Sequence, residues 1–260
     1  NENMPTNNTP LVSIIISNHN GRHLLSECLD SLSRLDYKNC EVIVVDAGSN
    51  DGAPDMVRNR AKVMSNLRLL ECAQVGIGEA INKGIAIAKG DIIVFDLNSD
   101  EVVAPDWLEK LLDVLLSSSE IGIVSGTRIC YGSDVVESVG GKISFFGRIS
   151  NVGQGLKFSE LPKTMADVDY VPLLMFRRSL LDQIGLCCET YVIYTEDVEF
   201  CIRARRAGYR IVAVPLALTF HIGSATIGEF SPWKLYFDRR NVITMYLTHF
   251  PLRNALGCLH

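Results

Sequence analysis

The fold of this chain is decided by residues 90–101, GDIIVFDLNSDE. Their apolar centre is rich in β-branched side chains, which predicts a fully buried strand, and the strand ends in a cluster of oxygen-bearing side chains. Ligands bind α/β sheets at the carboxyl ends of the strands, so acids at this position are candidates for holding a hard cation. The alternative is an ordinary helix start, because Asp100 and Glu101 lie just before residues 105–108, PDWL, and acids favour a helix N-terminus. Both interpretations are compatible with this stretch alone.

The composition limits the class of protein. A chain of 260 residues with 47% hydrophobic content can bury a large core, as one α/β domain or as two closely packed lobes. The net charge of −5 argues against a general nucleic-acid partner. Residues 1–10 are polar and predict a disordered leader, and no apolar run reaches the roughly 18 residues that a membrane span requires. We therefore expect a cytoplasmic protein.

Strands and helices alternate before the central stretch. The hydrophobic pattern predicts strands at residues 11–17, 41–46 and 67–72, and helices near residues 24–32, 55–65 and 76–88. Such βαβ alternation implies parallel strands with helices on both faces of the sheet. Polar side chains follow three of the strands: Asn18 and Asn20, then Asp46, Ser49 and Asp51, then Asn98 and Asp100. Three strand ends therefore present polar groups to one edge.

Two nucleotide-binding classes lack their defining motifs in this sequence. A dinucleotide-binding Rossmann domain needs G-x-G-x-x-G directly after its first strand, and the turn at residues 18–21 contains only Gly21. A Walker A loop is also absent, so the sequence gives no support for nucleoside triphosphate hydrolysis.

Six motifs in a fixed order resemble family 2 glycosyltransferases. The first half contributes residues 12–21, then VVDAGSNDG at residues 44–52, and residues 76–84 running into GD at 90–91 and LNSD at 97–100. The second half contributes an E-D-x-(D/E) helix in residues 196–209, HIGS at residues 221–224, and a Tyr-x-x-x-Arg-Asn segment at residues 236–241. Each motif is weak by itself, and the ordered set is specific. The resemblance runs from about residue 11 to residue 250, and the surface-polysaccharide branch with its rhamnosyltransferases is the most similar part of the family.

This resemblance implies an architecture. Family 2 enzymes have the GT-A fold, an α/β fold whose mostly parallel central sheet is flanked by helices, with a smaller antiparallel sheet on the acceptor side. Residues 11–222 would form a single GT-A domain, with the nucleotide-sugar half in residues 11–126 and the acceptor and catalytic half in residues 127–222. Residues 223–260 would form a mobile loop and an amphipathic helix.

The resemblance also implies a donor site. Asp46 would accept the imide N–H of a uracil or thymine ring, which a carboxylate at a strand end does well. The alternative is a turn-forming aspartate that bonds its own backbone. The full set of residues expected at the nucleotide sugar is Asn18, Asn20, Asp46, Ser49, Asp51, Asn82, Asn98 and Ser99.

A metal site follows from the same comparison. Asn98-Ser99-Asp100 stands where the family has its D-x-D motif, so Asp100 would bind Mg²⁺ or Mn²⁺ at the diphosphate. The first acid of the motif is Asn98 here, and the spacing from Gly90 to Pro105 is one residue longer than the family pattern. Either Asp96 or Asn98 would therefore complete the shell. His221 matches a metal-binding histidine of the family, and its alternative is a core or edge histidine.

The catalytic base is expected in the E-D-x-(D/E) helix. An inverting transfer needs a base within reach of the acceptor hydroxyl, and the resemblance assigns it to Asp197, with Glu196 as its neighbour and substitute. Two adjacent carboxylates also raise one another's pKa, which suits proton acceptance near neutral pH. The alternative is the common one of acids that complement a helix N-terminus.

The expected activity is inverting transfer of a sugar from a UDP or dTDP sugar to a saccharide or lipid-linked saccharide acceptor. A catalytically inactive relative is an alternative, because Asn98 replaces a metal acid. A nucleotidyltransferase has less support, since residues 18–22 lack the glycine- and lysine-rich loop that would hold a triphosphate.

Two later segments carry expectations of their own. Arg177 and Arg178 are interpreted as a solvated helix start. Residues 233–250 predict a basic, aromatic helix that packs on the core, and its alternative is peripheral contact with the inner face of the cell membrane.

Overall fold

The computed structural model describes residues 9–144, 148–222 and 232–251. The strands are β1 Val12–Asn18, β2 Cys40–Ala47, β3 Leu67–Cys72, β4 Ile92–Asn98, β5 Glu101–Val103, β6 Ile121–Cys130, β7 Val136–Ser138, β8 Gly141–Ile143, β9 Ile149–Asn151, β10 Ala166–Val168, β11 Leu174–Arg177 and β12 Arg210–His221. The helices are α1 Arg22–Ser33, α2 Ala53–Ala61, α3 Ile77–Ile87, α4 Trp107–Ser117, α5 Leu181–Ile184, α6 Glu196–Arg206 and α7 Pro232–His249.

One large sheet organises these elements. Its strand order is β10-β12-β6-β11-β4-β1-β2-β3, with β5 added to β12 and β7 added to β6. Strands β3, β2, β1 and β4 run parallel, β11 is antiparallel between β4 and β6, and β12 is parallel to β6. Strands β8 and β9 form a separate antiparallel pair. The predicted parallel alternation and the small second sheet are both confirmed.

The core has two sides because successive strand residues point to opposite faces. Ile14 and Val42 pack with α1 and α4 on one face, and Ile15 and Val45 pack with α3 and α6 on the other. A cluster of aromatic rings ties α6 to the sheet: the ring centroids of Phe95, Phe176 and Phe200 lie 5.0 to 5.3 Å apart. This packing holds the first turn of α6 over the carboxyl end of β4.

The interpretation of Arg177 and Arg178 as a solvated helix start is wrong. Arg177 donates to the carbonyls of Ser118 (3.2 Å) and Ile121 (2.9 Å), just beyond the end of α4. Arg178 donates to Ala88 and Gly90, at 2.8 Å each, just beyond α3. Carbonyls at helix ends lack intrahelical partners, and a guanidinium offers five donors to satisfy them.

Most element boundaries agree with the sequence. The strand predicted at residues 67–72 is β3, and the helix predicted at residues 233–250 is α7. Residues 1–8 of the predicted leader and residues 223–231 of the predicted loop lie outside the described residues. Within the described ranges, no helix combines the length and apolarity needed to cross a bilayer.

Candidate active site

A cleft of about 1080 Å³ opens at the carboxyl ends of the central strands and beside the start of α6. All six residues predicted for metal binding and catalysis line it: Asp96, Asn98, Asp100, Glu196, Asp197 and His221. Ser99, which was predicted at the nucleotide sugar, lines it as well. Helix α7 lines its far side with Lys234, Asp238 and Val242.

A β-bulge places Asp96 in this cleft. Ile14 of β1 pairs with Val94 of β4, but Ile16 pairs with Leu97, so β4 contains one extra residue. Asp96 absorbs it with φ of +61°, a left-handed conformation that aspartate tolerates better than most residues. The bulge thus gives β4 one residue more than β1 within the stretch from Gly90 to Pro105, and it interrupts the strand alternation at Asp96.

Asp96 lies with the predicted catalytic pair, which we call the acid cluster: Asp96, Glu196 and Asp197. Asp96 is 8% exposed and Glu196 is 7% exposed. Asp96 Oδ2 and Glu196 Oε2 are buried with no hydrogen-bond partner among the described residues. Burial and the charges of Glu196 and Asp197 raise the pKa of Asp96, and burial with the neighbouring Asp197 raises the pKa of Glu196 to about 8. Burial also raises the pKa of Asp197. The cluster therefore retains protons at neutral pH.

A second group of charges surrounds His221. Its Nε2 lies 3.2 Å from Asp100 Oδ2, and its Nδ1 lies 2.7 Å from Glu137 Oε2. Burial opposes protonation of the ring, but hydrogen bonds to the two carboxylates raise the pKa of His221 to about 9. Strand pairing brings these residues together. Strand β5 pairs Glu101, the residue after Asp100, with His221, and β7 carries Glu137 beside β6.

The sequence reasoning missed Glu137 and Arg128. Arg128 lies on β6, lines the cleft and donates through Nη2 to the buried carboxylate of Glu101, which places one positive charge among the acids. A charged residue inside an apolar strand was the available signal for Arg128. Glu137 lies on a three-residue strand in the least regular part of the sequence, where no pattern marked it.

The donor set at His221 fits a divalent cation that is shared with substrate. No group of three or more His, Cys, Asp or Glu side chains in residues 9–144, 148–222 and 232–251 is arranged to hold a metal ion alone. Two ligands at right angles around Mg²⁺, each about 2.1 Å away, lie about 3.0 Å apart, close to the 3.2 Å between Asp100 and His221. Mg²⁺ commonly takes one or two protein ligands and completes its shell with phosphate oxygens and water. Glu137 at Nδ1 leaves Nε2 to face that position, as carboxylate partners of metal-binding histidines do.

The residues after β1 and β2 that were predicted to lie at the nucleotide sugar form a hydrogen-bonded group of their own. We call this group the strand-end network: Asn18, Asn20, Asp46 and Ser49. Asp46 is 2% exposed. Its Oδ1 accepts from the backbone N–H of Ser49 (2.9 Å), and its Oδ2 accepts from Ser49 Oγ (2.7 Å) and Asn18 Nδ2 (2.8 Å). Ser49 Oγ also accepts from the backbone N–H of Asn20 (2.8 Å). These contacts are those of the turn-forming aspartate.

Two further predicted donor residues are engaged in holding local structure. Asp51 accepts from the backbone N–H groups of Arg22 (2.8 Å) and Ala53 (3.0 Å), at the starts of α1 and α2. Asn82 exchanges hydrogen bonds with the backbone of Cys187, at 3.0 Å each, and donates to Glu189 (2.9 Å). The structure therefore does not place Asn82 with the other predicted donor residues. Its amide joins α3 to the loop before α6 instead.

Known proteins share this architecture. The chain is similar to an uncharacterized protein, y4gI, of Sinorhizobium fredii, with 28% identity over 255 residues, which is 92% of this chain and 27% of the relative. It also resembles the solved structures of a Pyrobaculum calidifontis mannosyltransferase in complex with GDP-Man and Mn²⁺ (TM-score 0.67, 22% identity, 92% of this chain and 64% of that chain) and of GalNAc-T7 with UDP, GalNAc and Mn²⁺ (TM-score 0.73, 15% identity, 91% and 48%).

These structural likenesses confirm the predicted GT-A fold. The chain spans only between 27% and 38% of the length of the first curated relatives that it matches. The family model described as Glycosyl transferase family 2 matches residues 13–185, more than half of the chain. The chain therefore belongs to Glycosyl transferase family 2.

Proposed function

We propose that this chain transfers a sugar from a nucleoside-diphosphate sugar to a hydroxyl of a saccharide or lipid-linked saccharide, as a step in the synthesis of a surface polysaccharide or glycan. The observation that carries the proposal is a single cleft that holds the acid cluster on one side and the Asp100–His221 pair on the other. An acceptor hydroxyl needs a base and a leaving diphosphate needs a cation, and the cleft offers residues for both.

The acid cluster suggests how the proton is taken. Glu196, with its pKa raised to about 8, holds a proton at neutral pH and so relieves repulsion within the cluster. Asp197 then remains to accept the proton of the acceptor hydroxyl. The deprotonated acceptor oxygen then uses an electron pair to form a bond to the anomeric carbon. The bond from that carbon to the diphosphate oxygen breaks, and its electrons leave with the diphosphate. Attack from the face opposite the leaving group inverts the configuration.

Asp100 and His221 would hold a divalent cation, Mg²⁺ or Mn²⁺, with Asn98 in the same cleft and Glu137 orienting the imidazole. When bound, the ion would neutralise charge on the diphosphate and stabilise it as a leaving group. Asp96 belongs to the acid cluster, and we do not include it in the metal shell.

We propose a pyrimidine nucleotide, UDP or dTDP, carrying a hexose or rhamnose. Asp46 and Asn18 lie at the carboxyl edge of the sheet, and Asp46 Oδ1 accepts one hydrogen bond from the described residues where a carboxylate oxygen has capacity for two. An imide N–H of uracil or thymine is a donor that such an oxygen accepts. The neighbours solved with GDP-Man and with UDP support a nucleotide donor of either kind, so the base is part of the proposal.

The outer face of α7 supports peripheral contact with a membrane that carries the acceptor. Leu235, Tyr236, Ile243 and Leu247 are between 48% and 62% exposed on this helix. Basic Arg239 is exposed on this helix and also lines the cleft, and a basic, aromatic helix suits an anionic lipid surface.

An inactive nucleotide-sugar-binding relative is the second candidate. Asn98, which stands where the D-x-D motif has its first acid, favours it. Turnover alone separates it from the first candidate.

The test is a thermal-shift panel of UDP, dTDP, GDP, ADP and CDP with Mn²⁺, Mg²⁺ or EDTA. A ligand at 100 times its dissociation constant stabilises the native state by about 2.7 kcal/mol, so we expect UDP or dTDP to raise the melting temperature only with metal. His221→Ala should abolish the metal dependence, and Glu137→Gln should raise the Mn²⁺ concentration required by about 10- to 100-fold. The exposed variant Ser33→Ala serves as the control. The absence of a shift with every nucleotide and metal would contradict the proposed donor site.

A further inference from the structure

We propose that Arg240 and Asn241 of α7 form a clamp that fixes the backbone of residues 190–195 and thereby positions Asp197. We call these six residues the catalytic loop, because they lead directly into the first turn of α6. This inference rests on the proposed function for the role of Asp197. The clamp itself rests on contacts that need no substrate.

The catalytic loop has a strained backbone where it enters α6. Tyr194 has φ of +65° and Thr195 has φ of +73°. Left-handed conformations are unfavourable for residues other than glycine, and most of all for a β-branched residue such as Thr195. Thr195 is the N-cap residue of α6, and its side chain makes no capping hydrogen bond. Contacts from outside the loop must therefore hold the direction in which α6 begins.

Asn241 supplies the central contact. Asn241 is 1% exposed, and its Nδ2 donates to the carbonyls of Ile193 (2.6 Å) and Tyr194 (2.8 Å). Consecutive carbonyls point in opposite directions in an extended chain, so one amide group reaches both only where the chain turns between them. The positive φ of Tyr194 is that turn. Asn241 thus binds the strained conformation itself.

Arg240 completes the clamp. Its Nη1 donates to the carbonyl of Thr190 (3.0 Å) and to Asn241 Oδ1 (3.1 Å). The second contact orients the amide of Asn241 so that its N–H groups face the loop. Two adjacent residues of α7 therefore hold three carbonyls of the catalytic loop.

The opposite side of the loop is held by α3. The backbone N–H of Ile77 donates to the carbonyl of Val192 (2.8 Å), and a Cβ at Gly76 would lie 2.9 Å from the same oxygen. The catalytic loop is therefore enclosed between the start of α3 and the middle of α7. This arrangement gives a physical role to Arg240 and Asn241 of the Tyr-x-x-x-Arg-Asn segment, whereas Tyr236 of the same segment is 62% exposed.

A second anchor of α7 provides a matched control. His249 Nε2 lies 3.0 Å from Glu199 Oε1, and Arg206 Nη1 lies 3.0 Å from His249 Nδ1. These contacts join the end of α7 to α6 and do not touch the catalytic loop. His249→Ala removes a buried side chain from α7, as Asn241→Ala does, but it leaves the loop carbonyls with their partners.

The test compares Asn241→Ala with His249→Ala by hydrogen–deuterium exchange of peptides that cover residues 190–198, in the full chain without ligand. We expect exchange at least 10-fold faster in Asn241→Ala and unchanged in His249→Ala, because local opening depends on the lost loop contacts. With a UDP- or dTDP-hexose as the donor, chosen by the nucleotide that binds in the panel, kcat should fall 10- to 100-fold in Asn241→Ala while KM for the donor stays within twofold, since a displaced base affects the transition state. If Asn241→Ala does not fold, Arg240→Lys replaces it in the comparison. This variant keeps the positive charge but loses the planar guanidinium that donates to Thr190 and Asn241, and it should show a smaller effect of the same kind.

Three outcomes would overturn the clamp. Unchanged loop exchange in Asn241→Ala is the first, and equal acceleration in His249→Ala is the second, because it would show general loosening of α7. A loosened loop with unchanged kcat is the third, since Asp197 would then not depend on it. If the wild-type chain turns over no donor, the proposed function fails, and the exchange comparison still decides whether the clamp holds the loop.

Discussion

The strand-end network and the acid cluster lie at the same edge of one sheet and are built in opposite ways. In the strand-end network, Asp46 accepts hydrogen bonds from Asn18 and twice from Ser49. In the acid cluster, Asp96 and Glu196 each have a buried oxygen without a partner in the described part of the chain. Both groups contain nearly inaccessible carboxylates, but only the carboxylate of Asp46 has hydrogen-bond partners on both oxygens, and the buried atom of the strand-end network without a partner among the described residues is the amide oxygen of Asn18.

This difference indicates that the strand-end network stabilises local structure, whereas the acid cluster is suited to proton transfer. Satisfied carboxylates contribute to stability and fix the position of a loop, whereas buried carboxylates without partners raise one another's pKa and cost stability. Perturbed acids in a cleft are characteristic of sites that move protons. We therefore expect substitutions in the acid cluster to reduce activity without loss of stability, and substitutions in the strand-end network to reduce stability.

Asp197→Asn is expected to have the largest effect. Loss of the base should lower the transfer rate by about 10²- to 10⁴-fold, while donor binding and the melting temperature stay at or above those of the wild type. The asparagine oxygen can still accept from the backbone N–H of Val198, as Asp197 Oδ1 does at 2.8 Å, and one buried charge is removed. Initial rates, nucleotide titration and thermal unfolding of the same sample measure the three quantities. Retained turnover would reject Asp197 as the base.

The sequence predicted the first half of the fold well because its strands are apolar runs that end in turn residues. Strand β3 matches its prediction residue for residue, and the carboxyl edge with Asn98 and Asp100 follows from the parallel topology. Local patterns carry this information, since strand and helix periodicities are properties of short windows.

The parts that could not be predicted depend on distant contacts. The extra residue near Asp96 was visible as unusual spacing, but its bulge is fixed only by the pairing of β4 with β1. Glu137 reaches His221 across 84 positions of sequence, and Arg178 reaches the carbonyl of Gly90 across 88. Asn82, which was predicted to lie at the nucleotide sugar, donates to the carbonyl of Cys187, 105 positions away.

Glu196→Gln should change the pH dependence of stability. The pKa of Glu196 is raised from 4.5 to about 8 by burial and by Asp197, so between these values the folded state binds more protons than the unfolded state. The free energy of unfolding of the wild type therefore falls as pH rises through this window, by up to about 1.4 kcal/mol per pH unit for one proton. Glutamine does not titrate, so the variant should lose this part of the slope. Urea unfolding at pH 5.5, 7 and 8 in EDTA measures it, with exposed Glu109→Gln as the control. Parallel slopes for wild type and Glu196→Gln would place the retained proton elsewhere.

Ser49→Ala is expected to have the smallest effect. It should lower the melting temperature, whereas Asp197→Asn should leave it at or above that of the wild type. The hydroxyl of Ser49 accepts from the backbone N–H of Asn20 at 2.8 Å and donates to Asp46 Oδ2 at 2.7 Å, so its removal leaves the N–H of Asn20 without this acceptor and Asp46 Oδ2 with Asn18 Nδ2 as its remaining donor. Such a loss costs about 1–2 kcal/mol, which lowers the melting temperature of a chain of this size by about 2–8 °C. Ser33→Ala is the matched control, because Ser33 is exposed and donates to the carbonyl of Asp30 within α1. If Ser49→Ala and Asp197→Asn shift the melting temperature in the same direction and by the same amount, the two groups do not differ in how they contribute to stability. A loss confined to Ser49→Ala would mean that the order of this edge is held by the strand-end network and its reactivity by the acid cluster.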